Sequence, residues 1–447
     1  MKAGKKVKVR SLCSFLILLL TVAGMTSVSS ITALAEETSI AVENPEYLSF
    51  WSNSRVVPDL YDCVNEVVKY KWEDFVDNRK TRPTTDEVLA QQYNSVNEGY
   101  LTSVKNQGNT TLCWSYTSCA IAETAMIKEY GTGFETDFSE IAFAYFMDTE
   151  SNLPAEHPLY KDWKKYRSWN GRAYSYQPIG YMLSWRGFWD QSLVSEIDDI
   201  SDEYNSESEV HLQNVEWYSP EDIVGIKKEI MEKGAVYVSY DGHASALVGW
   251  DNDYWLVKNS YGTGEGRQGF TRGLASKVLG VVALDFEPKG NYDSIYQWDG
   301  NLAGVSRTGG AANVFTARED ENLRAVGVFV LCNNEVEPDY SYTVKVYRNL
   351  PDNSDPLSGE LVETVSGIFP GSGYYTLPLG KEVMLKEGEI FSVVVETGCY
   401  IGHDSYCYGP GTSFQMTPEG VYEDCYESDI ISYNCSIKAY TGAFVTG

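Results

Sequence analysis

The sequence predicts an α+β region followed by an all-β sandwich or jelly roll, and two observations predict this order. Apolar residues recur at helical spacing in segments 114–130 and 219–234, and short β-prone runs follow the second segment. From Gly290 onward the helical pattern disappears, and β-prone runs alternate with clusters of turn residues. With 447 residues, the chain is long enough for two to three domains, each with its own core.

The first 35 residues have the organisation of a secretory signal peptide. Basic residues precede an apolar run from Leu12 to Val22, and Ala33-Leu34-Ala35 forms a small-x-small cleavage site. This segment holds five basic and no acidic residues, so its removal makes the charge more negative than the −28 of the whole chain. We therefore predict an acidic, exported mature protein. An uncleaved membrane anchor is the alternative.

Residues 36–92 are acidic and aromatic, show no clear periodicity and end in a polar, proline-containing stretch at 80–87. We interpret them as an N-terminal extension or pro-segment, and the sequence does not say whether such a segment is inhibitory. After the N-terminus no stretch is apolar for the roughly 20 residues that a membrane span needs. We therefore expect no transmembrane span after signal cleavage.

The first folded domain is predicted at 93–287. Its first helix covers Trp114 to Tyr130 and stops at Gly131, and its second begins at a cap-like Ser219-Pro-Glu-Asp222 and stops at Gly234. Three β-prone runs broken by Gly, Asp and Asn then predict an antiparallel sheet: Ala235 to Tyr240, Ala244 to Trp250 and Tyr254 to Lys258.

The second domain is predicted at 288–447, after a linker-like stretch at 287–292. Its strands are expected in runs such as 325–331, 342–347 and 390–395, which are separated by clusters of Pro, Gly, Asp and Ser. This spacing favours a β-sandwich or jelly roll.

Composition and charge exclude several classes of protein. Hydrophobic residues make up 43% of the chain and aromatic residues 13%, which excludes intrinsic disorder as a class. The 35 basic residues are far outnumbered by 63 acidic ones, so the surface repels nucleic acid and anionic lipid. The four histidines follow no metal-ligand spacing, and we predict no metal and no cofactor.

Eight of the nine cysteines lie outside the signal segment, too few for a disulfide-dense scaffold. The close pairs Cys399/Cys407 and Cys425/Cys435 are candidates for disulfides, and the sequence leaves the connectivity open. If one of the eight cysteines is a catalytic thiol, seven remain. Because seven is an odd number, at least one of these is free or paired outside the chain.

Three segments carry residues suited to thiol chemistry. Cys113 opens the first helix, where the helix N-terminus and a histidinium neighbour can lower a thiol pKa from about 8.5. His243 stands at the start of a strand. Asn259 follows the next strand, where its amide oxygen can accept the second imidazole N–H and hold the ring in the tautomer that a thiolate needs.

These residues and their surroundings resemble the papain-like (C1) cysteine peptidases. The resemblance rests on two motifs, Val-Lys-Asn-Gln107-Gly before Cys113-Trp114 and Lys-Asn259-Ser-Tyr-Gly-Thr-Gly. It also rests on spacing, because His243 lies 130 residues and Asn259 146 residues after the cysteine. It implies a two-lobed fold with a helical lobe and an antiparallel β lobe. It also implies that Cys113 is the nucleophile, His243 the general base and acid, Asn259 the orienting residue and Gln107 the side-chain donor of the oxyanion hole.

The substrate cleft departs from the family pattern. Thr110 replaces a half-cystine, and its partner is absent from Trp169-Asn-Gly-Arg172, so both halves are missing together. Thr111 and Arg172 then stand where the family has glycine, and their side chains should narrow the cleft or change its charge. The resemblance predicts four substrate-binding residues: Thr111, Trp114, Gly171 and Arg172.

Two further departures flank the predicted base. Tyr261 replaces the tryptophan that shields the asparagine in the family. Only Asp241 and Gly242 separate the preceding strand from His243, whereas the family has a longer loop there that helps to wall the cleft. This shortening puts the specificity pocket in doubt.

The C-terminal region resembles the lectin-like β-domain that follows papain-type peptidases in some exported bacterial proteins. The resemblance rests on runs such as 296–300, 311–317, 323–327 and 373–377. Its aromatic residues suit either stacking on sugars or packing within the sandwich, and packing is the favoured interpretation.

We therefore predict a secreted, extracellular or cell-wall-associated cysteine peptidase from a Gram-positive bacterium that hydrolyses proteins or peptides, with a possible cell-wall glycan as partner of the C-terminal domain. A degenerate peptidase fold that acts as a cell-surface or glycan-binding module is the alternative. A third hypothesis is a cell-wall peptide amidase or transpeptidase that uses the same cysteine and histidine. Substrate specificity and oligomeric state are not determined by the sequence.

Overall fold

The computed structural model describes most of the chain from residue 89 onward. The described residues are 89–149, 176–192, 208, 210–240, 242–252, 254–274, 277–288, 291–299, 302, 304–306, 308–332, 340–404, 409–426 and 433–442. The predicted signal peptide, nearly all of the predicted extension and the predicted substrate-binding residues Gly171 and Arg172 lie outside these ranges. Within them, no helix is both long enough and apolar enough to cross a membrane.

Helix α1 spans Cys113–Tyr130 and ends at Gly131, whose backbone N–H donates to the carbonyl of Ile127. The sequence predicted this helix one residue shorter. It lies deep in the fold, with two thirds of its side chains buried. Within the described ranges, three more helices follow: α2 (Glu140–Thr149), α3 (Tyr176–Leu183) and α4 (Ile223–Lys233).

The predicted caps of α4 are confirmed. The carboxylate of Asp222 accepts a hydrogen bond from the Gly225 N–H at 2.9 Å, which satisfies a donor that the first helical turn leaves without a partner. Gly234 ends the helix in the left-handed conformation, with φ of 84°, and its N–H donates to the carbonyl of Ile230. Both ends of α4 are therefore set by residues next to it in the sequence.

The strands described before residue 290 belong to the same region as these helices. They are β1 (Gln92–Asn94), β2 (Val210–Tyr218), β3 (Val236–Tyr240), β4 (His243–Asp251), β5 (Tyr254–Lys258), β6 (Phe270–Leu274) and β7 (Gly280–Pro288). The three β-prone runs of the sequence correspond to β3, β4 and β5 to within one residue at each end.

Every element described after residue 290 is a strand. These strands are β8 (Ser294–Tyr296), β9 (Gly304–Ser306), β10 (Gly310–Thr316), β11 (Glu321–Leu331), β12 (Ser341–Arg348), β13 (Glu360–Ile368), β14 (Gly373–Leu385), β15 (Ile390–Thr397), β16 (Tyr400–His403), β17 (Ser413–Met416), β18 (Tyr422–Asp424) and β19 (Ile437–Gly442). The all-β character predicted for this region is confirmed.

The strands form two antiparallel sheets. One has thirteen strands and runs in the order β6-β5-β4-β3-β7-β2-β14-β11-β16-β9, with β1 on β4, β19 on β11 and β8 on β19. The other has six strands in the order β13-β12-β15-β10-β17-β18. Apolar side chains of β11 and β19 from the large sheet and of β12 and β15 from the small sheet share one core. The second region is therefore a sandwich of two packed sheets.

The large sheet continues from the first region into the second. Strand β2 pairs with β14, with Gly373 opposite Glu216 and Tyr374 opposite Val215. The core is continuous at the same place, because Trp217 packs edge-to-face on Phe329 with ring centroids 5.2 Å apart. The domain boundary at 287–288 stays a prediction, and both the sheet and the apolar core extend across it.

Candidate active site

Cys113 is the first residue of α1, and its side chain is 8% exposed. The preceding residue, Leu112, offers no side-chain cap, and the first turn of the helix holds no acidic residue. The positive end of the helix dipole therefore acts on the thiol without a competing carboxylate in that turn. This placement stabilises a thiolate relative to a thiol.

His243 is the first residue of β4, directly after a tight connection from β3. Tyr240 and His243 face each other across the two strands, and Gly242 between them has φ of 81°, a value suited to glycine. Since β3 and β4 lie in the middle of the large sheet, the histidine is held by a rigid frame rather than by a loop. The connection between β3 and β4 is as short as the sequence implies.

The imidazole of His243 is bound to Asn259, which immediately follows β5. Its Nε2 lies 2.9 Å from Oδ1 of Asn259, and that oxygen also accepts the backbone N–H of Ser260 at 2.9 Å. Because an amide oxygen only accepts, Nε2 of the ring carries the hydrogen and Nδ1 is left to exchange a proton. Burial lowers the pKa of His243 to about 4, and the hydrogen bond with Asn259 opposes this shift.

Tyr261 covers the other side of the histidine. Its ring stacks on the imidazole with an interplanar angle of 12° and centroids 5.1 Å apart. Its hydroxyl lies 3.3 Å from Nδ1 of His243. The aromatic replacement seen in the sequence therefore keeps a ring beside the His-Asn pair and adds a hydroxyl that can donate to Nδ1.

Gln107 is buried, and its amide is fixed in orientation. Ser260 donates its hydroxyl to Oε1 of Gln107 at 2.5 Å, and Nε2 of Gln107 donates one hydrogen to the carbonyl of Thr110 at 2.9 Å. The backbone N–H of Gln107 also donates to the carbonyl of Ser260 at 2.7 Å. These bonds connect the loop before α1 to the residues that follow Asn259. An amide nitrogen has two hydrogens, so the second is available to an oxyanion.

The sequence did not single out Tyr237 and Ser260. Tyr237 lies on β3, is almost fully buried and is close enough to Cys113 for its pKa to respond: burial and the negative charge of the thiolate both raise it. Ser260 binds Gln107 as described above. The serine was visible as part of the Lys-Asn-Ser motif, whereas nothing in the sequence near Tyr237 distinguishes it from an ordinary core residue.

A partly buried ionic cluster lies next to Asn259 and Ser260. The ammonium of Lys105 contacts the carboxylates of Glu123 at 2.9 Å, Asp137 at 2.6 Å and Glu140 at 2.7 Å. Burial raises the pKa of Glu140 to about 7, although Lys105 opposes the shift. Burial likewise lowers the pKa of Lys258, the neighbour of Asn259, to about 8. Residues of this cluster line a small cavity together with Asn259 and Ser260.

The other predicted site residues have different positions. Thr111 is partly exposed at the start of α1. Trp114 is 2% exposed and packs against Phe143, so its predicted contact with substrate stays a prediction that its burial does not favour. His211 stacks on a tryptophan and His403 on a tyrosine, both in the protein interior, so neither is placed near the candidate active site by these contacts. Among the described residues, no group of three His, Cys, Asp or Glu side chains is arranged to hold a metal ion.

Comparison with known sequences separates the two regions. Residues 293–400 match the model of the lectin-like domain family. A cathepsin L-like proteinase of Fasciola hepatica is 26% identical over 205 residues, which cover 42% of this chain and 61% of that protein. The procathepsin L of Felis catus is 26% identical over 39% of this chain and 58% of its own length. The match therefore spans about three fifths of the length of these relatives.

Two solved structures have a similar fold over most of this chain. The protease and lectin-like domains of Cwp84, a surface-layer-associated protein of Clostridium difficile, superpose with a TM-score of 0.63 over 90% of this chain and 97% of that one, at 20% identity. Clostridial Cwp84 after propeptide cleavage gives a TM-score of 0.64 over 79% of this chain and all of that one, also at 20% identity. The chain thus has the fold of a papain-like cysteine protease followed by a lectin-like domain.

Proposed function

We propose that this protein is a secreted papain-like cysteine peptidase that hydrolyses peptide bonds through Cys113, His243, Asn259 and Gln107. The hydrogen bond between Nε2 of His243 and Oδ1 of Asn259 carries the proposal, because it leaves Nδ1 to serve a thiol. Cys113 at the start of α1 is the candidate thiol, and the loop that leads to it is bound to Ser260, next to Asn259. The cathepsin-like relatives support the same activity.

In the first step, the Cys113 thiol gives its proton to Nδ1 of His243. An imidazole with a pKa of about 4 is a weak base while the thiol is neutral. The negative charge of the thiolate favours the protonated ring, and the helix dipole favours the thiolate, so the two ions stabilise each other. The Asn259 oxygen holds the imidazolium in place throughout.

In the next step, the Cys113 sulfur forms a bond to the substrate carbonyl carbon, and the carbonyl oxygen becomes an oxyanion. The second hydrogen of Gln107 Nε2 and the backbone N–H of Cys113 donate to that oxygen. His243 then protonates the leaving amine, which breaks the peptide bond and leaves a thioester. Water, deprotonated by the same imidazole, hydrolyses the thioester and restores the thiol.

The surroundings of the site suggest the wider role. We propose that α1 and α2 belong to a helical lobe and β3 to β7 to a β lobe, with the substrate between them. Thr111, which is partly exposed, is the proposed contact with that substrate. The sequence of the leader and the surface-layer association of Cwp84 support a location outside the cell or at its surface. A cell-wall glycan is the proposed ligand of the lectin-like region.

The test is intact-mass analysis of residues 36–447 after treatment with a papain-directed epoxide at neutral pH. We expect one adduct, mapped to Cys113, and cleavage of a fluorogenic peptide that the adduct abolishes. Cys113→Ala should abolish labelling and cleavage without unfolding the protein. His243→Ala should keep the thiol but slow its labelling strongly, which separates a formed catalytic pair from a merely accessible cysteine.

A second sample with residues 36–92 removed covers the case of an inhibitory extension. If labelling appears only after this removal, the extension is inhibitory and the peptidase proposal stands. If neither sample is labelled, or if Cys113→Ala still cleaves the peptide, the proposal is wrong. The degenerate, surface-binding alternative then becomes the better interpretation.

A further inference from the structure

Four cysteines of the lectin-like region lie in its interior, away from the candidate active site. Cys332, Cys399, Cys425 and Cys435 are each at most 2% exposed, and all four belong to the core between the two sheets. A thiol in such a position has no access to substrate. The arrangement of the four in two adjoining pairs indicates a different chemistry.

The first pair follows from strand register. Strands β11 and β16 are antiparallel, with Val330 opposite Ile401 and Leu331 opposite Tyr400. The next facing positions in this register are Cys332 and Cys399. Facing residues of an antiparallel pair have Cα atoms about 4.5 to 5.5 Å apart, within the range of about 4.4 to 6.8 Å that a disulfide spans. The two side chains share a hydrogen bond, which together with burial raises the pKa of Cys332.

The second pair is held by one residue of a neighbouring strand. The backbone N–H of Cys425 donates to the carbonyl of Ser413 at 2.9 Å, and that of Cys435 donates to the hydroxyl of Ser413 at 3.1 Å. Their side chains also share a hydrogen bond, which together with burial raises the pKa of Cys425. The pair is therefore fixed by tertiary contacts and not only by closeness in sequence.

We propose that the mature protein carries two disulfides, Cys332–Cys399 and Cys425–Cys435, in its lectin-like region. The register of β11 and β16 favours Cys332 as the partner of Cys399, whereas closeness in sequence had suggested Cys407. The proposal is independent of peptidase activity and rests on export to an oxidising compartment, where disulfides persist.

The bond forms by exchange with an organic disulfide as oxidant. One cysteine thiolate attacks the oxidant, which makes a mixed disulfide and releases one thiol. The second thiolate then attacks the mixed disulfide, which makes the Cys–Cys bond and releases the second thiol; the two cysteine protons go to the released thiolates. Because burial raises the pKa of Cys332 and Cys425 in the folded domain, both bonds form before the core closes over them.

The first disulfide lies against the junction between the two regions. The backbone N–H of Cys332 donates to the Ser372 hydroxyl at 3.0 Å, and the carbonyl of Ser372 accepts the backbone N–H of Trp217 at 3.3 Å. Trp217 belongs to β2, the strand through which the large sheet passes from one region to the other. The Cys332–Cys399 bond therefore braces the segment that joins the lectin-like region to the protease region.

The experiment is peptide mapping of the full chain secreted by a bacterial host, alkylated with N-ethylmaleimide in denaturant before any reduction. We expect peptides linked through Cys332–Cys399 and Cys425–Cys435, with none of the four alkylated, and a mass increase of about 4 Da when both bonds are reduced. Cys113→Ala is the matched control, and it should retain both bonds because the catalytic thiol is not their partner.

Two variants keep the test decisive if a bond is present but misassigned. Cys332→Ser should make Cys399 alkylatable and leave Cys425–Cys435 linked, and Cys435→Ser should do the converse. Alkylation of all four cysteines in the unreduced wild-type protein would overturn the proposal. A link from Cys399 to Cys407 would overturn the first pairing, and a link from either Cys425 or Cys435 to another cysteine would overturn the second.

Discussion

The protease region and the lectin-like region place their cysteines in different surroundings. Cys113 is the first residue of a helix and 8% exposed, and the His243–Asn259 pair is its proposed base. Cys332 and Cys399 face each other inside a sandwich, where each has the other as its neighbour. All of these residues are cysteines, so it is the surroundings of each thiol that decide whether it suits a nucleophile or a structural cross-link.

The two regions also differ in what surrounds their central residues. Next to Asn259 the protease region buries the carboxylates of Glu123 and Glu140 against the partly exposed Lys105. Around its cysteines the lectin-like region buries hydroxyl and amide groups, such as Ser413, which donates to the Asn313 side chain at 2.6 Å. A charged cluster keeps its geometry only while every charge has a partner. Burying neutral polar groups costs less free energy than burying charges.

The largest expected effect separates the two kinds of cysteine. Cys113→Ala should lower kcat/KM on a peptide substrate by about 10⁴-fold or more, because the nucleophile is lost, and leave the unfolding midpoint nearly unchanged. Cys332→Ala should do the reverse, with normal kcat/KM per folded molecule and a lower midpoint. Initial rates, normalised by protein concentration for Cys113→Ala and by epoxide titration for Cys332→Ala, and thermal unfolding of both variants check this contrast. Equal loss of activity in both variants would contradict it.

The charged cluster provides the next largest effect. Lys105→Met should destabilise the protein by about 3 to 5 kcal/mol, because it leaves the buried carboxylates of Glu123 and Glu140 without their cation. The matched control is Lys386→Met, which removes a mostly exposed ion pair with Asp320 and should leave the free energy of unfolding nearly unchanged, because solvent screens the pair. Urea unfolding gives both values. A loss below about 1 kcal/mol for Lys105→Met would show that the cluster is not essential to the fold.

The proposed disulfides come next, and their effects should rank by loop length. Cys332 and Cys399 are 67 residues apart and Cys425 and Cys435 only 10. Replacing the first pair by alanine should cost about 4 kcal/mol and replacing the second about 3 kcal/mol, because the longer loop restricts the unfolded chain more. Urea unfolding in the presence and absence of a thiol reductant measures this. If the reductant leaves the wild-type midpoint unchanged, the bonds do not contribute to stability.

Glu140 makes the free energy of unfolding depend on pH. Its pKa is raised to about 7 in the folded protein, so between about pH 4.5 and 7 the folded state holds a proton that the unfolded state releases. The contribution of Glu140 to stability therefore falls as pH rises through this window and is constant above it. Glu140→Gln should remove this fall, which unfolding midpoints from pH 5 to pH 8 would reveal. A slope as steep as that of the wild type would mean that other groups cause it.

The smallest expected effect concerns Tyr261. Its hydroxyl lies 3.3 Å from Nδ1 of His243 and, as a donor, stabilises the neutral imidazole. Tyr261→Phe keeps the stacked ring and removes this donor, so the imidazolium–thiolate pair should become more populated. A hydrogen bond worth about 1 kcal/mol corresponds to an increase of about fivefold in the rate of Cys113 alkylation by iodoacetamide at pH 7. A decrease would show instead that the hydroxyl supports the reactive pair.

The sequence determined the features that depend on near neighbours in the chain. Helix α4 was predicted with both ends because Asp222 and Gly234 act on groups within one helical turn. Strands β3, β4 and β5 were predicted from short apolar runs and the residues that interrupt them. The candidate catalytic residues were found by motif and spacing, and the structure brings His243 and Asn259 into hydrogen-bond contact.

The tertiary structure alone decided the contacts that depend on the register between distant strands. The alignment of β11 with β16 places Cys332 opposite Cys399, and the pairing of β2 with β14 carries one sheet through both regions. The burial of Trp114 and the closeness of Tyr237 to Cys113 also depend on the tertiary structure. Nothing local specifies them, because the side chains that meet are brought together by the packing of the whole core.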